Sequence, residues 1–187
     1  MPGRRGDGVF VFQIIYWGPF QAGKGTALNW LYKKGNLCTG ALGIAHDKDP
    51  YADIFFFDKV VSRLDIVLMC YALPSPKRHF FLRKRRLNRA DGIIFMWDSL
   101  VDKSPENITS LNELLQFAPN NLPIITCANK RDLTKIISIE ELRKILNNMG
   151  LSRSQIYESI ATDGVGLKES LFCVAEESIS IFDQKKS

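Results

Sequence analysis

The chain has 187 residues, a formal net charge of +5, and 45% hydrophobic against 24% charged residues. That length fits one domain able to bury a full core. No apolar run approaches the ~18 residues of a membrane-spanning helix, and the N-terminal MPGRRGDG lacks the apolar segment of a secretory leader. Pro2 departs from the Met-Gly start of myristoylated chains, and the C-terminal QKKS is no prenylation box. The scattered Cys38, Cys70, Cys127 and Cys173 read as thiols in a reducing cytosol, with little support for a zinc site. A cytoplasmic protein without a direct lipid anchor is expected. Flexible tails at 1–8 and 184–187 flank one domain over 9–183. The basic excess gathers in KRHFFLRKRRLNR, Lys77 to Arg89; a local stretch argues less for DNA than a basic whole domain does.

In chain order, VFVFQIIYW is a near-continuous apolar run of strand length, as expected for a strand buried on both faces. It leads into the glycine-rich GPFQAGKGT and a helical pattern, TALNWLYKK. A loop rich in Gly, Asp and Pro follows. DIFFFDKVV and LDIVLMCYAL then read as two strands joined by a short link, hence antiparallel. Next come the basic helix candidate, the strand DGIIFMW, and a helix capped at Ser104 with Pro105 in its first turn. LPIITCANK is a further strand. Ser138 to Glu141 is a capping box opening a helix that Gly150 closes. A short strand near Gln155 to Ser159 and a last helix from about Val165 complete the set. Alternating strands and helices give an α/β class: a six-stranded, mostly parallel sheet with one antiparallel strand and five helices on both faces.

Three segments carry chemistry. GPFQAGKGT reads G-x-x-x-x-G-K-G-T between a strand and a helix. Such a turn aims backbone N–H groups and a helix N-terminus at phosphates, and Lys24 adds a point charge. Asn129-Lys130-Arg131-Asp132 ends a strand. A carboxylate at Asp132 accepts from N1–H and the 2-amino group of guanine; adenine offers neither donor and would leave it unpaired. Asn129 braces the loop or touches the base edge, and the Lys130 stem covers the ring face. In Glu158-Ser159-Ile160-Ala161-Thr162, the Ala161 N–H is a candidate donor to guanine O6. The expected nucleotide-binding set is Gly18, Gly23, Lys24, Gly25, Thr26, Ala27, Asn129, Lys130, Asp132, Ile160, Ala161 and Thr162, with GTP or GDP as ligand.

These three segments, in this order, resemble the Ras superfamily of small GTPases, and most of all its prokaryotic MglA-type members. ADIFFFD, PSP, RKRRL and DGIIFMWDS stand where that group carries D-R-T-L-F-F-D, P-G-Q, R-K-x-x-L and D-G-V-V-F-V-A-D-S. The resemblance covers about Phe10 to Phe182 and implies GTP binding, a GTPase activity and a roadblock/LC7 (MglB-like) partner. The departures fall on metal and hydrolysis positions. Gly25 replaces the hydroxyl that holds Mg²⁺. Thr26, about 100° round the helix, is the one candidate metal ligand, so Mg²⁺ is an open question. Asp53 and Ile54 stand where the resemblance implies an arginine and a threonine, and Ser75-Pro76 where it implies Gly-Gln. An aspartate opposes transition-state charge, and Pro76 cannot orient water. No catalytic residue is therefore assigned, and weak or absent hydrolysis is expected, with a slow GTPase switch as the alternative. G-K-G-T also ends the loop of adenylate-kinase-like phosphotransferases, a third reading weakened by the absence of a D-G-x-P-R-like segment. The basic stretch reads as a solvated face or as a docking surface for an acidic partner, with Phe80, Phe81 and Leu87 giving apolar contact, and less readily as a contact for nucleic acid or anionic lipid. His46 and His79 receive no role, and Trp17, Trp30 and Trp97 read as core or near-core.

Overall fold

The computed structural model describes residues 3–4, 8–38, 46–49, 52–61, 65–73 and 80–185. The strands are β1 (Gly3–Arg4), β2 (Phe10–Trp17), β3 (His46–Asp49), β4 (Ala52–Phe57), β5 (Ile66–Ala72), β6 (Gly92–Asp98), β7 (Ile124–Asn129) and β8 (Ile156–Glu158). The α-helices are α1 (Lys24–Lys34), α2 (Phe80–Leu87), α3 (Ser104–Phe117), α4 (Ile139–Asn148) and α5 (Leu167–Gln184). The sheet runs β3-β4-β5-β2-β6-β7-β8, with β1 attached to β2. The six expected strands (β2 and β4 to β8) and five helices are present. Parallel pairing joins β5, β2, β6, β7 and β8, and β4 is antiparallel to β5. Two short antiparallel strands, β1 on β2 and β3 on β4, extend the expected sheet.

Side chains alternate across β2 because strand periodicity is two. Phe12, Ile14 and Tyr16 join a core with Ala27, Leu28 and Leu31 of α1 and Leu167, Leu171 and Val174 of α5. Ile15 and Trp17 join the opposite core with Leu87 of α2, Leu111 and Leu114 of α3, and Leu142 and Leu146 of α4. The helix after β2 and the helix after β5 therefore cover opposite faces. The crevice at the carboxyl end of β2 is the switch point where ligands of such sheets bind, and GPFQAGKGT occupies it.

Helix ends follow local chemistry, with one correction. Ser138 Oγ accepts from Glu141 N at 3.1 Å, as the capping box requires. Gly150 adopts φ 81 just past α4. Ser104, expected as a cap, is instead the first residue of α3. A 3₁₀ turn over Val101–Lys103 feeds straight into the helix, so Ser104 takes helical angles. Trp17 and Trp97 are buried, while Trp30 is half-buried and lies against the loop after β8. A Cβ at Gly164, where φ is +85, would fall 2.0 Å from the Trp30 indole. All four cysteines are free thiols. Among the described residues no helix is long and apolar enough to cross a membrane.

Candidate functional site

The phosphate-loop candidate is shaped by two close approaches. Gly18 has φ +147, and a Cβ there would sit 2.4 Å from Met96 O. Gly23, at φ +95, would push a Cβ to 2.3 Å from Asn129 Nδ2. Both positions require glycine, for the conformation and for the space. Lys24 opens α1 and is buried. Its ammonium donates to Gly18 O at 2.9 Å and to Pro19 O at 2.7 Å. Burial, then the nearby Arg83 charge, lowers its pKa to about 8. Ala27 is a core residue whose N–H donates to Gly23 O at 2.9 Å; it closes the first turn of α1.

At the other end, Asn129 is buried at the tip of β7 and works as a brace. Its amide donates to Ala22 O at 2.9 Å, and its carbonyl accepts from Ala161 N at 3.0 Å and from Ser159 Oγ at 3.3 Å. One side chain thus ties the glycine loop to the loop after β8. The Ala161 N–H, expected to face guanine O6, is committed to Asn129 here. Lys130 has a left-handed φ of 67, and its ammonium binds Asp98 Oδ2 at 2.6 Å. Asp98 is buried at the end of β6. The ammonium end of Lys130 is thereby fixed, a role not foreseen from the motif. Ile160 N donates to Val165 O at 3.2 Å, so this residue shapes the loop backbone.

These pieces line two separate spaces. A cleft of about 240 Å³ is bounded by Gln21, Gly23, Thr26, Asn129, Lys130, Asp132, Leu133, Ala161 and Thr162. It gathers most of the expected base-side set. A larger cavity of about 540 Å³, on the α2 and α3 side, is lined by Gly18, Pro19, Phe20, Lys24 and Arg83 among others. Thr26 belongs to the first space and Lys24 to the second. Gly25 is half-buried between them, and nothing lies within 4 Å of where its Cβ would be.

The hydrolysis positions are partly visible. Asp53 is in register with Ala72 at the end of β5, and Ala72 is in turn in register with Tyr16 of β2. Ile54 is buried in the core with Tyr71 and Leu73; its apolar side chain can hold no metal. Ser75, Pro76 and His79 lie outside the described residues, as do the side chains of Phe80 and His46. The donor set does not fit a hydroxyl-held Mg²⁺: Gly25 supplies no hydroxyl, and Thr26 lines the base-side cleft. The basic stretch also differs from a uniformly solvated face. Arg83 is buried, paired with Glu113 and 5.4 Å from the Trp17 ring centre. Lys84 lies over Phe117 and Arg86 over Tyr71. Leu87, expected to meet a partner, is fully buried because it faces the core from the last turn of α2; Phe81 is 82% exposed.

The comparisons agree with this geometry. Residues 78–178 match the ADP-ribosylation factor family. The mutual gliding-motility protein MglA of Myxococcus xanthus is 30% identical over 175 residues, 88% of each chain. Ras-related protein RabZ of Dictyostelium discoideum is 26% identical over 171 residues, covering 89% of this chain and 71% of that one. Human ADP-ribosylation factor-like protein 4A is 36% identical over 86 residues, 43% of each. This leaves the kinase-like reading of G-K-G-T without support. With a glycine loop at the switch point of a Ras-like sheet, and an N-K-x-D turn braced against it, the chain belongs to the Ras superfamily of small GTP-binding proteins, near MglA and the ADP-ribosylation factors.

Proposed function

We propose that the chain holds GDP or GTP between the Gly18–Thr26 loop and the Asn129–Asp132 and Ile160–Thr162 turns, hydrolyses it poorly, and acts through a protein partner. In this reading Gly23, Lys24 and Gly25 meet the phosphates and Asp132 reads the base; Ala27, expected in the binding set, is a fully buried core residue with its N–H committed to Gly23 O and supports the loop from behind. The Ala161 N–H shares itself between Asn129 and guanine O6. The carrying observation is an asymmetry: the base-side brace at Asn129 is complete, while position 25 offers no side-chain oxygen for a metal and its carbonyl accepts from Asn29 Nδ2. A divalent cation here would be held by nucleotide oxygens and water.

The test is direct. The purified protein is denatured and the released nucleotide identified; GDP and GTP are then titrated with and without Mg²⁺, and single-turnover hydrolysis is followed. Guanine binding that ignores Mg²⁺, without turnover, supports a nucleotide-stapled scaffold. Hydrolysis at the pace of ordinary small GTPases without a partner overturns it. One observation favours a slow GTPase instead: Arg83 shares the Lys24 cavity, and in that reading its guanidinium, once freed from Glu113, would add a second cation beside the phosphates.

The partner in this proposal is a roadblock/LC7-type protein docking on α2 and the turn after it, where Phe81, Lys84 and Arg85 of the helix and Arg89 of the turn are exposed. Reversing Lys84 and Arg85 to glutamate should weaken that complex about tenfold at low salt and less at high salt. Equal affinity of wild type and variant excludes this face.

A further inference from the structure

The N-K-x-D motif leaves its third residue unassigned. In this chain it is Arg131, and its position is not that of a solvated turn residue. Its Nε donates to Glu158 Oε2 at 2.7 Å, and one terminal nitrogen donates to Ile137 O at 2.7 Å. Its backbone N–H donates to Ser159 O at 3.3 Å. Three segments therefore meet on one residue: the turn after β7, the end of β8, and the stretch before α4. Ile137 is itself anchored, since its N–H donates to Ser99 O at 2.8 Å.

We propose that Arg131 is a positioning residue that sets the separation of the two base-reading turns and so governs how fast guanine nucleotide leaves and how sharply guanine is chosen. Asp132 is the next residue in the chain, and Glu158 stands three residues before Ala161. A bond from Arg131 to Glu158 thus spans the gap between the Asp132 carboxylate and the Ala161 amide. Lys130, between Asn129 and Arg131, holds a left-handed φ of 67, a conformation non-glycine residues keep only when neighbours enforce it. Arg131 on one side and the Lys130–Asp98 pair on the other supply that enforcement. The planar guanidinium suits the task because its donors point to two acceptors at once, which an ammonium on a flexible stem does less well. Glu158 is more than half exposed, with 58% side-chain accessibility against 15% for Arg131. The ion pair is therefore screened, and the Ile137 carbonyl bond is the firmer anchor. The inference rests on the proposed nucleotide reading.

The test uses the full chain and mant-GDP. Release is timed for wild type, Arg131→Ala, Arg131→Lys and Glu158→Ala, and the relative affinity for GDP and IDP is measured by competition. IDP lacks the 2-amino group that Asp132 would accept from. Arg131→Ala should release mant-GDP about tenfold faster, the rate equivalent of losing a charged hydrogen bond. Arg131→Lys should fall between, and Glu158→Ala should change release about twofold, in keeping with its exposure. The GDP preference over IDP should fall severalfold in Arg131→Ala, which general loosening of the domain would not produce. Release and GDP:IDP preference both within twofold of wild type in Arg131→Ala overturn the role. If Arg131→Ala does not fold, Arg131→Lys decides by the same two readouts. Wild-type protein that binds no mant-GDP overturns the nucleotide reading and this inference together.

Discussion

Gly25 concentrates the question of metal use in one missing side chain. Nothing lies within 4 Å of its would-be Cβ, so a serine there meets no obstacle. Gly25→Ser should raise helix stability by about 0.5 kcal/mol from propensity alone and should make GTP affinity rise with Mg²⁺. Titration of the variant with and without Mg²⁺ checks this; an unchanged metal response would mean that other positions have also lost the cation. Lys24 gives a pH prediction. Its pKa is lowered to about 8 in the nucleotide-free protein, against about 10.4 unfolded. Between those values the unfolded chain binds more protons, so stability should rise with pH from about 8 to 10.4, the desolvation penalty being fully present below 8. In the proposed reading the Lys24 ammonium meets the phosphates. Affinity should therefore drop as pH rises through 8, approaching a tenfold loss per unit, with proton uptake on binding measurable by calorimetry in buffers of different ionisation heat. At this scale the sequence was legible where chemistry is local. The crowded backbone at Gly18 and Gly23 is what a glycine loop implies, and Asn129 stands at a strand end as expected for N-K-x-D. Asp98 and Arg131 stayed hidden as structural anchors because their partners, Lys130 and Glu158 with Ile137, come from other parts of the chain.

Among the elements, α2 is held by a contact that its composition disguises. KRHFFLRKRRLNR reads as a run of like charges, yet Arg83 is buried and paired with Glu113 of α3. Removing one partner of such a pair leaves a charge in a poor solvent. Glu113→Ala should destabilise the protein by about 2 kcal/mol, below the fully buried range because Glu113 is partly exposed. Urea unfolding with an unchanged slope checks it. The apolar runs and caps made the strands and most helices readable. Ser104 was misplaced by one position because the 3₁₀ turn before it depends on Asp98 and Asn107: the Asn107 side chain donates to Asp98 O and Lys103 O. The short β1 and β3 have too few residues to show a period.

For the molecule as a whole, the two spaces at the carboxyl edge of the sheet are joined by the Asn129 brace, so base and phosphate sites should stiffen together. GDP at 100 times its Kd should add about 2.7 kcal/mol, a rise in Tm of about 5–10 °C for a domain of this size. ADP at the same concentration should add far less. A thermal shift series with GDP, GTP and ADP reads this directly, and equal shifts with GDP and ADP would remove the guanine reading. The mostly parallel sheet with helices on both faces was legible as a class, because strand–helix alternation admits few topologies; the strand order was not, since it depends on pairings between distant segments.

Trp30 lying on Gly164 has an optical consequence. Trp97 is sealed in the core and should contribute a steady, blue-shifted emission, whereas Trp17 lines the Lys24 cavity beneath Arg83. Trp30 is half-buried against the loop that also carries Ala161 and Thr162. Its emission should track the order of that loop, so the unlabelled protein carries its own fluorescent indicator of whether the base pocket is occupied, and Trp30→Phe should silence it.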